Sequence, residues 1–174
     1  TVCIATICEA GLGPNLQKII MCADRQVSAG INFESGVPKI KPLNEYCYVM
    51  MSSDDSLMTD MMIEKVKSLI VGKQLKIEEI VKVFSKEYEE WIKTEREKDI
   101  LSKFGLDYKE FSKISKELNQ DLLRRISEAL VNYKPDFESN IIVLGLEPEP
   151  HIYVVDELGN YKCHDFMGFA VIGS

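Results

Sequence analysis

The apolar residues of this chain fall into three successive blocks, strands then helices then strands. That order constrains the fold more tightly than any single motif. In the first block, residues 1 to about 53, short apolar runs alternate with turn signals. Thr1-Val2-Cys3-Ile4-Ala5-Thr6-Ile7-Cys8 has a period of two and predicts a buried strand. Gly11-Leu12-Gly13-Pro14-Asn15 separates it from a second strand, Ile19-Ile20-Met21-Cys22-Ala23-Asp24. Turns are predicted at Ser28-Ala29-Gly30 and Glu34-Ser35-Gly36. Strands are predicted at Lys39-Ile40-Lys41 and Tyr46-Cys47-Tyr48-Val49-Met50-Met51.

Over about 54–134 the period becomes helical. Ser52, Ser53 and Asp54 can cap a helix whose apolar face includes Leu57, Met61, Val66 and Ile70, stopping at Gly72. Ile77, Ile80, Val81, Phe84, Tyr88, Trp91 and Ile92 then form one stripe at i, i+3, i+4 spacing. After Gly105, Asp107-Tyr108-Lys109-Glu110 has the form of a capping box, and Phe111, Ile114, Leu118, Leu122, Ile126 and Leu130 lead to Pro135. Strands return at 140–146 and 151–156. A turn at Glu157-Leu158-Gly159-Asn160 leads back through Tyr161 to His164, and a last apolar run covers 169–172. Helices set between two groups of strands imply antiparallel sheets with the helices segregated, an α+β or layered-sandwich fold. Neither a repeat nor a domain boundary interrupts residues 1–174, which read as a single domain. The stop at Ile172-Gly173-Ser174, directly after an apolar strand, reads as a domain only partly represented.

The 45% apolar and 28% charged content is that of a globular protein. With 28 Asp and Glu against 21 Lys and Arg, the net charge of −7 argues against a nucleic-acid partner. The five cysteines are scattered, form no CxxC pair and fit a reduced, cytoplasmic setting. No apolar run reaches the ~18–20 residues of a membrane span. Two distant histidines, His151 and His164, supply neither a triad nor a metal site, and no nucleotide-binding glycine motif occurs. No cofactor is implied.

Four residues carry potential chemistry. Thr1 holds a hydroxyl nucleophile and an α-amine that titrates near pH ~7.7–8, so nucleophile and base share one residue. Asp24, followed by Arg25, lies at the end of an apolar strand, where a structural ion pair or a turn cap is the plainer reading. Lys39 opens a short strand, either as a solvated strand-end lysine or as part of a proton network with Asp24. Ser174 follows Gly173 and reads equally as a turn residue. The charged face of the helical block, 86–90 and 95–99, is that of a solvated helix or of a projection that meets another subunit.

In combination and in order, these stretches resemble the proteasome β-subunit family of N-terminal nucleophile (Ntn) hydrolases. The matching segments are Thr1-Val2-Cys3-Ile4-Ala5, Ile20-Met21-Cys22-Ala23-Asp24-Arg25-Gln26-Val27-Ser28 and Val37-Pro38-Lys39-Ile40. Later matches are Ile142-Val143-Leu144-Gly145, His151-Ile152-Tyr153-Val154-Val155-Asp156-Glu157-Leu158-Gly159 and Phe169-Ala170-Val171-Ile172-Gly173-Ser174. The resemblance implies a four-layer αββα sandwich of two antiparallel sheets flanked by helices, assembling into homo-oligomeric rings. It also implies a threonine-type peptidase acting on peptides or unfolded proteins through an acyl-enzyme on Thr1, with an ATPase as a potential partner. Under it Asp24 and Lys39 orient the threonine and tune its proton affinity, and Ser174 lies close to the nucleophile. Ser28 would pair its backbone with an extended substrate. Where the family has a glycine at its oxyanion-donating turn, this chain has Met51-Ser52-Ser53. A backbone N–H there can still donate, and Met51 would narrow the substrate pocket. The family's further Asp and Ser fall beyond Ser174. The helical block exceeds the family's usual pair, with the excess near 91–116, which implies a different ring or cap geometry. Two alternatives follow from the same resemblance: a catalytically silent ring or scaffold subunit, and a non-peptide amide hydrolase.

Overall fold

A computed structural model describes residues 2–8, 17–24, 26–29, 32–35, 38–135 and 138–173, with 26–29 and 32–35 described as backbone. The chain forms two compact units, Thr1–Tyr88 with Phe137–Ser174, and Glu89–Asp136.

In the first unit, strand β1 (Val2–Cys8) lies antiparallel between β2 (Lys18–Ala23) and β10 (Phe169–Gly173). Strands β3 (Gln26–Ala29) and β4 (Asn32–Ser35) pair with each other. A five-stranded antiparallel sheet has the order β5 (Ile40–Pro42), β6 (Cys47–Ser53), β7 (Ser139–Leu146), β8 (Pro150–Val155), β9 (Tyr161–Cys163). The period of two decides what each face meets. Cys3, Ala5, Ala170 and Ile172 of the smaller sheet pack with Met50, Ile142, Leu144 and Ile152 of the larger one, so the core lies between two facing sheets. The alternate residues of the smaller sheet, Val2, Ile4, Ile20, Phe169 and Val171, are exposed.

The other face of the large sheet carries Val49, Ile141, Val143 and Val155, all buried. Helix α1 (Ser56–Ile70) and the first half of α2 (Ile77–Asp99) pack here. A methyl group on Gly145 of β7 would meet both the Ile77 side chain and the Tyr46 carbonyl, so only glycine admits α2 this close to the strand. Further along α2, the Tyr88 hydroxyl shares a buried 2.9 Å hydrogen bond with Ser139 Oγ of β7. The predicted α2 stripe is buried at Ile77, Ile80, Val81, Phe84, Tyr88 and Ile92, while its Trp91 is half-buried.

The second unit contains the rest of α2, a 3-10 helix at Leu101–Phe104, α3 (Tyr108–Ile114) and α4 (Gln120–Val131). The capping box is present: the Asp107 side chain accepts from Glu110 N–H and the Glu110 carboxylate accepts from Asp107 N–H. Tyr133 donates to Asp99 at 2.9 Å, beneath the Arg96 guanidinium. Among the described residues no helix is long and apolar enough to cross a membrane.

Four local expectations give way to the structure. Ser28-Ala29 and Glu34-Ser35 are strand ends, because the ladder from Gln26↔Ser35 to Ala29↔Asn32 pairs their backbones, while Gly30 and Gly36 of the same predicted turns lie outside the described residues. Ser52 and Ser53 extend β6 opposite Asn140 and Ser139, and Asp55 is the helix cap, accepting from Met58 N–H at 2.9 Å. The buried face of α1 is Thr59, Met62, Ile63, Val66 and Ile70, a complete i, i+3, i+4 stripe, whereas Leu57 and Met61 are exposed. The run from Phe111 to Leu130 divides in two, because the Asn119 side chain caps a new helix through Asp121 N–H.

Candidate active site

Asp24 follows the last residue of β2, and Lys39 directly precedes β5. The Lys39 ammonium donates to Asp24 Oδ1 at 2.5 Å. The lysine side chain is 4% exposed and the carboxylate 38%, so the cation is buried while the anion retains part of its hydration. That hydrogen bond, reinforced by the lysine charge, holds the Asp24 carboxyl below its ordinary value of 3.8. The pair anticipated from sequence is therefore formed, with the lysine inside.

Backbone contacts tie this pair to the start of β1. Asp24 N–H donates to the Val2 carbonyl at 3.1 Å, and Cys3 stands opposite Ala23 in the β1–β2 ladder. On its other side Val2 pairs with Gly173 of β10. The ends of β2 and β10 thus flank the first described residue of β1. Thr1, Ser174 and the side chain of Ser28 lie outside the described residues.

Met51 belongs to the same neighbourhood through its backbone. Its side chain is buried, its N–H donates to the Lys39 carbonyl at 3.1 Å, and its carbonyl accepts from Cys3 Sγ at 3.3 Å. The 51–53 segment is β-strand, not a turn, and Met51 N–H is committed within it. Met51 pairs with Ile141, so its buried side chain lies on the face of the large sheet that carries Val49, Ile141 and Val155, opposite the face that meets the smaller sheet.

Cys3 is the residue that sequence reasoning passed over. The period of β1 put it on the inward face with Ala5, where a free cysteine reads as a small hydrophobe. Only the pairing of sheets shows that its sulfur meets the Met51 carbonyl. Burial pushes its thiol up to about 11, partly offset by the Lys39 charge, so the sulfur carries its proton at neutral pH.

A second polar cluster forms around β8 and β9. His151 Nδ1 lies 2.7 Å from Asp165 Oδ2, and Asp165 Oδ1 accepts from Ile152 N–H at 2.7 Å. Burial raises the titration of nearby Tyr153 and Cys163, so the thiol there is not an activated nucleophile. Among the described residues no group of three or more His, Cys, Asp or Glu side chains is arranged to hold a metal ion.

Compared with known proteins, the chain matches no family model and no curated sequence.

Proposed function

We propose that the chain is a threonine-type N-terminal nucleophile hydrolase with the four-layer αββα Ntn fold, cleaving peptide bonds through an acyl-enzyme. The observation that carries this reading is the Lys39–Asp24 ion pair, fastened through Asp24 N–H to Val2, the residue bonded to Thr1. In the proposed reaction Thr1 Oγ attacks the scissile carbonyl carbon and its proton passes to the Thr1 α-amine. The C–N bond then breaks, and the departing amine takes that proton. Water, activated by the same amine, hydrolyses the resulting ester and frees Oγ. In this reading the buried Lys39 cation favours the neutral form of the amine, since two like charges at short range oppose one another. Asp24 holds that lysine in place. Homo-oligomeric rings, a peptide or unfolded-protein substrate, an ATPase partner and a cytoplasmic setting belong to the same proposal.

One observation favours the silent ring-subunit alternative. The Met51 N–H, in the segment where the resemblance implies an oxyanion donor, is bonded to the Lys39 carbonyl instead. A threonine-directed peptide electrophile separates the two readings. The protein whose mass shows a free Thr1 should gain one adduct, mapped to Thr1, and lose peptide hydrolysis, while Thr1→Ala should do neither. A free Thr1 that takes no adduct and cleaves no peptide overturns the hydrolase and leaves the scaffold.

A further inference from the structure

The contacts around Lys39 close into a ring. Cys3 S–H donates to the Met51 carbonyl, Met51 N–H to the Lys39 carbonyl, Lys39 Nζ to Asp24, and Asp24 N–H to the carbonyl of Val2, which is bonded to Cys3. Four separate pieces of chain meet in this circuit: β1, β6, the residue before β5 and the residue after β2. Two of its links are side-chain contacts between the facing sheets: the Lys39–Asp24 pair joins their strand ends, and the Cys3 sulfur reaches the Met51 carbonyl from within β1. We infer that Cys3 is a positioning residue, whose thiol sets the height of Lys39 and Asp24 relative to the start of β1.

The chemistry of the link supports that role. A thiol that keeps its proton acts as a standing donor to the Met51 carbonyl over the neutral range. Cys3 is fully buried, so water cannot substitute for it. Met51 uses both backbone groups in the ring, and a shift of its carbonyl is passed through its N–H to the lysine backbone. The competing view is that Cys3 merely fills space beside Met50, Ile142 and Ile172. Serine and alanine are close in volume and differ in the donor, so they separate positioning from packing.

The inference rests on the hydrolase reading for its effect on turnover, but has a readout that does not. The Asp24 carboxyl carbon is followed by NMR through an acid titration in the wild type, Cys3→Ser, Cys3→Ala and Cys3→Val. Cys3→Val fills the site without a donor and preserves the test should Cys3→Ala fail to fold. In the alanine and valine variants the Asp24 midpoint should rise by about half a pH unit or more as its contact with Lys39 loosens. On a peptide substrate, kcat should fall about tenfold with KM within about twofold of wild type. Cys3→Ser should restore both. An Asp24 midpoint unchanged by loss of the donor, or serine and alanine variants that behave alike, overturns the inference. If the wild type cleaves nothing, the hydrolase reading fails while the titration still decides the role of Cys3.

Discussion

Replacing Lys39 with methionine should separate stability from activity, because the two ends of its ion pair sit in different surroundings. Methionine keeps roughly the length and volume of the lysine stem and deletes the charge. The lysine side chain is 4% exposed, so deleting its charge relieves the cost of holding an ammonium away from water. The Asp24 side chain is 38% exposed and can rehydrate, so loss of the cation leaves no stranded buried anion. A partly solvated pair contributes about 0–1 kcal/mol, similar in size to the relief at the buried end. The net change in unfolding free energy should therefore stay within about 1 kcal/mol of wild type, read from urea unfolding at pH 7. Peptide hydrolysis should nevertheless fall by about tenfold or more, because the proposed base loses the neighbouring charge that favours its neutral form and one unit of proton affinity is a tenfold change. The acid limb provides a second signature. Lys39 holds the Asp24 carboxyl below 3.8, so the stabilisation is present above that pH and is lost as pH falls through the folded value. Lys39→Met should flatten that acid dependence. A loss of more than about 3 kcal/mol, the range for breaking a fully buried pair, would refute the reasoning from exposure. Hydrolysis at the wild-type rate would refute the role of the pair.

The Tyr88–Ser139 contact should behave as a coupled buried pair. Tyr88→Phe and Ser139→Ala should each cost about 1–3 kcal/mol, with a coupling of about 1 kcal/mol in the double-mutant cycle; simple additivity would contradict it. Burial raises the Tyr88 phenol from 10.0 to about 12, so its contribution is complete below pH 10 and is lost as pH rises towards 12. Wild type should lose roughly 2–3 kcal/mol more than Tyr88→Phe across that window, measured by denaturant unfolding. Gly145→Ala should destabilise by about 2 kcal/mol or more, since the Tyr46 carbonyl it meets is backbone and cannot rotate aside. An alanine variant melting at the wild-type temperature would show that α2 does not press on β7 there.

Long periodic stretches were legible because their signal is local. The alternation in β1 assigns Cys3 and Ala5 inward. The stripe of α2 identifies Ile77 through Tyr88 as buried, and Asp107 with Glu110 announces the start of α3. Segments with two competing local signals were less legible. Ser52 and Ser53 suit a cap, but a long-range ladder to β7 draws them into a strand. Leu57 and Met61 are as apolar as Met62 and Ile63, and only the position of the sheet selects one stripe over the other. Asp24 and Lys39 could be nominated from their places beside apolar strands, but only the arrangement of the two sheets brings those strand ends together.

What the sequence determined by itself is the order of elements, the inward face of most strands and a short roster of reactive groups. These depend on residue periods and capping chemistry within a few positions of one another. Tertiary structure alone decided that the lysine is the buried member of its pair, that Met51 N–H answers the Lys39 carbonyl, and that the Cys3 sulfur reaches β6. Each of those contacts joins groups 12 to 48 positions apart. Their burial and partners follow from how two sheets face each other, a relation that no local window of residues contains.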